Sequence, residues 1–242
     1  MGFKETIQKL YPGAIASKTY FQGSTSFLNG LGFDAPNTIA CVGVCRDEIT
    51  RPFVDQVHAI WGEAFNFSSL GAMLFLGKTG FTAAIHHAPD ASAISRYVFF
   101  AMAHIGVDAE GAIGFCSRPK QQRLSRACGA LVTFHKELSE RKVRLELDPD
   151  DLEQSLLKQR LLSRIPYGEV PDIVGLTQIA QDTIFADLER YISLTVEPTK
   201  CAYGVMTGIL IHGPDHQDWI WPSTSYALVE NVKHSFDPAP KA

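Results

Sequence analysis

Thr38-Ile39-Ala40-Cys41-Val42-Gly43-Val44-Cys45-Arg46-Asp47 is the stretch on which the fold turns. Up to Val44 it is an almost unbroken run of small and branched apolar residues. That is the composition of a strand covered on both faces, as in a parallel sheet packed between helices. The run ends in Cys45-Arg46-Asp47, and in open α/β sheets sites gather beyond the carboxyl ends of strands.

Downstream, residues 51–61 read as a helix with Pro52 in its first turn and apolar Phe53, Val54, Val57, Ile60 and Trp61. Residues 72–76 (AMLFL) predict a second buried strand. Gly77-Lys78-Thr79-Gly80 then turns the chain into a short helix over 81–87. Residues 97–103 predict a third strand and 112–116 a fourth. A helix is expected at 129–138 and a short strand at 143–147. Helices at 151–164 and 176–194 precede strands at 203–211 and 219–221. Upstream, the first thirty residues read as helical, broken at Pro12-Gly13. Strands alternating with helices through the first 140 residues predict an α/β sheet with parallel strands flanked by helices. The chain reads as a single domain over residues 1–242, with an N-terminal helical arm to about residue 33 and a frayed end from Asp237.

Length and charge narrow the function. A chain of 242 residues can bury a substantial core, and a net charge of −4 offers nothing to attract nucleic acid. No apolar stretch approaches the ~18 residues of a membrane span. The start shows no secretory signal, since Lys4, Glu5, Gln8 and Lys9 interrupt its apolar residues. Five cysteines form an odd, sparse set, so free thiols in a reducing compartment are expected.

Cys45, Cys128 and a histidine between them form a ligand set for catalytic zinc, with a fourth position left to water whose pKa drops to about 7. Cys128 precedes a helix, where unpaired N–H groups and the dipole favour thiolate. It reads equally as a small buried side chain. Cys41, Cys116 and Cys201 lie in apolar runs and read as core. Asp47 can cap the next helix or accept a proton, and Arg51, one turn on, is placed to pair with it. Of the adjacent His86 and His87, only one can face a given metal. His87, just before Ala88-Pro89-Asp90, is the better placed, and His104 at a strand end is a further candidate.

Other chemistries lack their signatures. A phosphate loop would need glycine where Ala72 stands. The nucleophile elbow, Cys-x-x-Cys, His-Glu-x-x-His and the dinucleotide fingerprint are all absent.

The chain resembles the limiting-CO2-inducible B (LCIB) proteins of algae and their relatives, including theta-type carbonic anhydrases. The residues that carry this are Val44-Cys45-Arg46-Asp47-Glu48, Gly77-Lys78-Thr79-Gly80 through His87-Ala88-Pro89-Asp90, His104-Ile105-Gly106, and Ser125-Arg126-Ala127-Cys128-Gly129-Ala130-Leu131. The resemblance implies a β-carbonic-anhydrase-like α/β fold, a homodimer, and zinc held by Cys45, His87 and Cys128. It also implies reversible hydration of CO2 to bicarbonate and a proton. β-Carbonic anhydrases carry Cys-x-Asp-x-Arg, whose Asp and Arg form a dyad. Here Cys45 and Asp47 match, position 49 is Ile, and Arg51 is the substitute. Ser125 stands where the β-type His-x-x-Cys-Gly motif has histidine, which sends the third ligand back to His87. The resemblance places the protein in or near a plastid, or in the cytoplasm of a bacterium. Two other readings stand beside this one: a non-catalytic zinc-binding partner protein, and an unrelated zinc hydrolase.

Overall fold

From the amino end, the chain forms α1 (Phe3–Leu10), a two-residue strand β1 (Ile15–Ala16) and α2 (Ser17–Gly30). The apolar run 38–44 forms β2 (Thr38–Gly43), followed by α3 (Arg51–Trp61), β3 (Ala64–Asn66) and α4 (Gly77–Ile85). The central strand is β4 (Ser95–Gly106). After it come a two-residue ribbon, β5 (Phe115–Cys116) with β6 (Ser125–Arg126), and the helices α5 (Gly129–Ser139), α6 (Leu152–Leu162) and α7 (Ile173–Thr195). The chain closes with β7 (Cys201–His212), β8 (Asp218–Pro222), β9 (Tyr226–Val229) and β10 (Val232–Ser235). This computed structural model describes residues 1–90, 94–118 and 120–238, so the last four residues of the expected frayed end lie outside the described residues.

One mostly parallel sheet organises these elements, as the strand and helix alternation predicts. β3, β2, β4 and β7 lie side by side in parallel. Beyond β7 the sheet turns antiparallel through β8 to β1, and β9 with β10 extends it beside the first half of β7. β4 is covered on both faces, which explains its run of aromatic and small apolar residues. Tyr97, Phe99, Ala101 and Ala103 pack under α4, α5 and α7. The alternate residues Val98, Phe100 and Met102 meet Tyr20, Phe21 and Phe53 of α2 and α3.

Residues 72–74 are buried, Phe75 and Leu76 partly so, and the segment is not a strand. Gly71 and Ala72 both take positive φ, so the backbone coils there, and Met73 and Leu74 fill the core from an irregular segment. A short apolar run does not distinguish strand from buried coil by pattern. The parallel partner of β2 on that side is instead β3, three residues long and too short to announce itself. Of the strand expected at 112–116 only Phe115 and Cys116 pair, in the small ribbon, and 143–147 forms no strand.

β4 and β7 run together through Gly106 and His212, while the pairing of β2 with β4 stops at Gly43 opposite Ala101. The exposed ladder edge of β4 beyond that point is taken by a side chain of α7. Gln181 Oε1 accepts from the Ala103 N–H at 2.8 Å, and its Nε2 donates to Ala101 O at 3.3 Å. Buried backbone groups are thereby satisfied where β2 has left. A recess remains at the carboxyl edge of the sheet.

Candidate metal centre

Three segments converge on that recess. Cys45 follows β2, and its carbonyl accepts from Thr50 Oγ1 at 2.9 Å. His104 sits near the end of β4. Cys128 is the N-cap of α5, as its place before a helix suggested. A backbone latch brings Cys128 to the strand end: Gly106 N–H donates to Ala127 O at 3.0 Å, Ala127 N–H to Gly114 O at 3.1 Å, and Gly114 N–H to Gly106 O at 2.8 Å. Gly106 is required there, because a Cβ at this position would lie 2.5 Å from Phe115 O.

Ligand atoms of Cys45, His104 and Cys128 all lie within 4.8 Å of one another, and all three residues are buried. The two sulfurs are 3.8 Å apart. Two thiolates at about 2.3 Å from one tetrahedral zinc are separated by about 3.8 Å, so the spacing fits the ion. His104 Nε2 is buried and has no hydrogen-bond partner, as expected of a nitrogen whose lone pair belongs to a metal. The donor set of two sulfurs and one imidazole suits zinc, and an open fourth position is the mark of a catalytic site.

The thiols themselves differ sharply. The hydrogen bond from Cys128 pulls Cys45 well below the ordinary thiol value against the opposing effect of burial, while the same contact pushes Cys128 up. A pair of thiols that must give up protons to bind a metal is a donor set whose affinity depends on pH. Burial pushes Cys41, Cys116 and Cys201 up, and Cys41 and Cys116 are fully enclosed, in keeping with their reading as core.

His87 is not in this cluster. α4 ends at Ile85, leaving His86 and His87 exposed beyond it. The His87 Nδ1 lies 2.7 Å from Ala83 O, and its ring packs on Phe65 at 5.4 Å. The histidine beside the two cysteines is His104, the strand-end candidate.

Asp47 accepts from the Ile49 N–H at 3.3 Å and so caps the short turn Glu48–Thr50. Its charge partner is not Arg51, which pairs with Asp55 one turn along the exposed face of α3 at 2.7 Å. The partner is Arg118. Nη2 of Arg118 donates to Asp47 Oδ2 at 2.7 Å, and Nη1 donates to Oδ1 and to Glu48. Arg118 is in turn held by Ser125 Oγ and by Arg126 O at 3.0 Å. Ser125, at the place of the missing β-type histidine, therefore supports the arginine. The pair is withdrawn from water, with side chains 9% and 13% exposed. Burial works against the Asp47 charge, but the hydrogen bond from Arg118, the nearby His104 ring and the hydrogen bond from Ile49 together outweigh it and bring the pKa down to about 2. A cleft of about 750 Å³ reaches Cys45 and Asp47, with Arg46, Asn66 and Ser68 on its walls.

Residues 14–229 match the family of limiting CO2-inducible proteins B/C beta carbonic anhydrases. The chain belongs to this LCIB family. A crystal structure of limiting CO2-inducible protein LCIB is similar to it at 33% identity, over 95% of this chain and 96% of that one, with a TM-score of 0.80. The crystal structure of PtLCIB4, a homolog of that protein, shares the fold at 21% identity over 96% and 99% of the two chains, with a TM-score of 0.81. No curated protein matches the chain. Within this LCIB-family fold, no described helix is long and apolar enough to cross a membrane.

Proposed function

We propose that this LCIB-family protein is a zinc-dependent carbonic anhydrase, interconverting CO2 and bicarbonate with release of a proton. The observation that carries the reading is the buried triad of Cys45, His104 and Cys128, with its unpartnered imidazole nitrogen, next to an aspartate locked by an arginine.

Zinc held by these three residues would act as a Lewis acid that makes a hydroxide nucleophile available near neutral pH. The chain's own residues do the rest. Asp47 is anionic through the whole working range and would orient a hydroxyl group held beside the triad by accepting its hydrogen bond. Arg118 donates to both Asp47 carboxylate oxygens, which would keep that group from ligating the metal in place of water. Burial of the triad excludes bulk water from the reacting atoms, and the adjoining cleft admits a small neutral substrate.

Stopped-flow CO2 hydration by zinc-loaded protein under reducing conditions tests the reading. Zinc-dependent hydration that falls in Asp47→Ala supports it. Bound zinc with no hydration under reducing or oxidising conditions overturns it in favour of a non-catalytic zinc protein. Ester or amide hydrolysis without CO2 hydration overturns it in favour of a zinc hydrolase.

A further inference from the structure

His104 is one end of a buried chain of three side chains. Its Nδ1 lies 3.0 Å from Nε2 of His212, and the rings meet edge to face at 5.2 Å between centroids. Nδ1 of His212 lies 2.8 Å from Oδ1 of Asp218. The fold sets this order. His104 and His212 lie on neighbouring parallel strands at the same edge of the sheet, and Asp218 opens β8 directly across from His212. His104 and His212 are 1% and 4% exposed, so neither finds these partners in water instead.

The hydrogen-bond roles follow one another. A carboxylate oxygen only accepts, so Nδ1 of His212 carries a proton and donates to Asp218. In neutral His212 the other nitrogen, Nε2, then accepts. It takes its hydrogen bond from Nδ1–H of His104. That leaves Nε2 of His104 without a proton, and this is the buried nitrogen that has no hydrogen-bond partner, on the residue that stands beside the two cysteines.

We propose that His212 and Asp218 are positioning residues for the metal centre: together they select the tautomer and ring orientation of His104 that present Nε2 to zinc. The inference deepens the carbonic anhydrase reading and rests on its metal triad. A histidine ligand free to rotate, or protonated on the wrong nitrogen, has to be reorganised before it binds, and partners of this type are worth 10–100-fold in metal affinity (order of magnitude). No sequence spacing links the three residues, which stand 108 and 6 positions apart.

Zinc affinity measured by chelator competition tests the proposal, with the absorption bands of the cobalt-substituted protein as a second readout. His212→Phe keeps an aromatic ring but removes the acceptor. Its zinc Kd is expected to rise about 10–100-fold, with altered cobalt bands. Asp218→Ala, one link further from the metal, weakens binding by less. His212→Gln restores an acceptor at the right depth and recovers much of the affinity. Thermal unfolding of the metal-free forms separates positioning from scaffolding. Equal losses of metal-free stability and of affinity in His212→Phe and His212→Gln overturn the proposal in favour of a merely structural residue. Wild-type affinity in His212→Phe also overturns it while leaving the metal reading intact. A wild-type protein that takes up no zinc overturns the metal reading, and this proposal with it.

Discussion

Arg118 grips Asp47 across 71 positions of sequence, with Nη2 donating to Oδ2 at 2.7 Å and Nη1 to Oδ1. The guanidinium is anchored from behind by Ser125 and the Arg126 carbonyl, on the same segment that delivers Cys128 to the metal centre. One loop therefore places both Cys128 and the clamp on the neighbouring carboxylate. Removing Arg118 leaves Asp47 misdirected and its charge uncompensated. Arg118→Ala is expected to lower CO2 hydration about 100-fold, and to destabilise the fold by about 3 kcal/mol. Arg118→Lys, which cannot form the two-pronged contact, recovers little. Arg51→Ala, which loses only an exposed pair with Asp55, should stay within about twofold of wild type in hydration. Steady-state hydration kinetics on the three variants check this. A larger loss at Arg51 than at Arg118 contradicts it.

Asp47 also predicts an acid limb of stability. Its folded pKa, about 2, lies below the ordinary 3.8, so its contribution is present above about pH 4 and disappears as pH falls toward 2. At about 1.4 kcal/mol per pKa unit the full effect is about 2 kcal/mol. Urea unfolding of the metal-free protein and of Asp47→Asn is the measurement. The stability gap between them should be constant from pH 5 to 7 and close between pH 4 and 2. A gap that stays unchanged down to pH 2 contradicts the assignment.

Parts of this site were legible in the sequence, and the reasons are physical. Cys45 and Cys128 could be found because each closes or opens a strongly patterned element, a buried strand before one and a helix after the other. His104 was visible only as a strand-end histidine. Local context favoured His87 at its helix end, whereas the position of His104 depends on β4 running past the end of β2 and on a latch through Gly106, Gly114 and Ala127. Arg118 gave no signal at all. It sits in a loop far along the chain from Asp47, whereas Arg51 has the helical spacing that suggests a pair and in fact serves Asp55. The parallel sheet was legible from the apolar runs of β2, β4 and β7. Residues 72–76 misled because a short continuous apolar run carries no periodicity to separate strand from coil.

The latch itself can be broken at Gly106. A methyl group there meets Phe115 O at 2.5 Å and its carbonyl carbon at 2.7 Å, both backbone atoms that cannot swing aside. Gly106→Ala should therefore destabilise the fold by about 1–3 kcal/mol. It should also weaken zinc binding, since the Cys128 segment hangs on this strand end. The urea midpoint and zinc affinity, measured together, report both effects. A variant with unaltered midpoint and affinity contradicts the role given to the latch.

Chelation offers a further check on how the fold and the ion are linked. A ligand bound only by the native state stabilises it by about 4 kcal/mol when present at 1,000 times its Kd. Stripping the protein with a chelator should lower its Tm, and adding zinc back should restore it. The Cys45→Ala variant should show a smaller difference between the two states. Identical melting with and without zinc in the wild type contradicts a metal bound in the core.

The most direct measurement is metal content per chain in wild type, His104→Ala and His87→Ala purified under reducing conditions, each paired with a CO2 hydration assay. One equivalent of zinc and hydration activity are expected in wild type and in His87→Ala, and loss of both in His104→Ala. Full zinc in His104→Ala, with zinc lost from His87→Ala, contradicts that expectation.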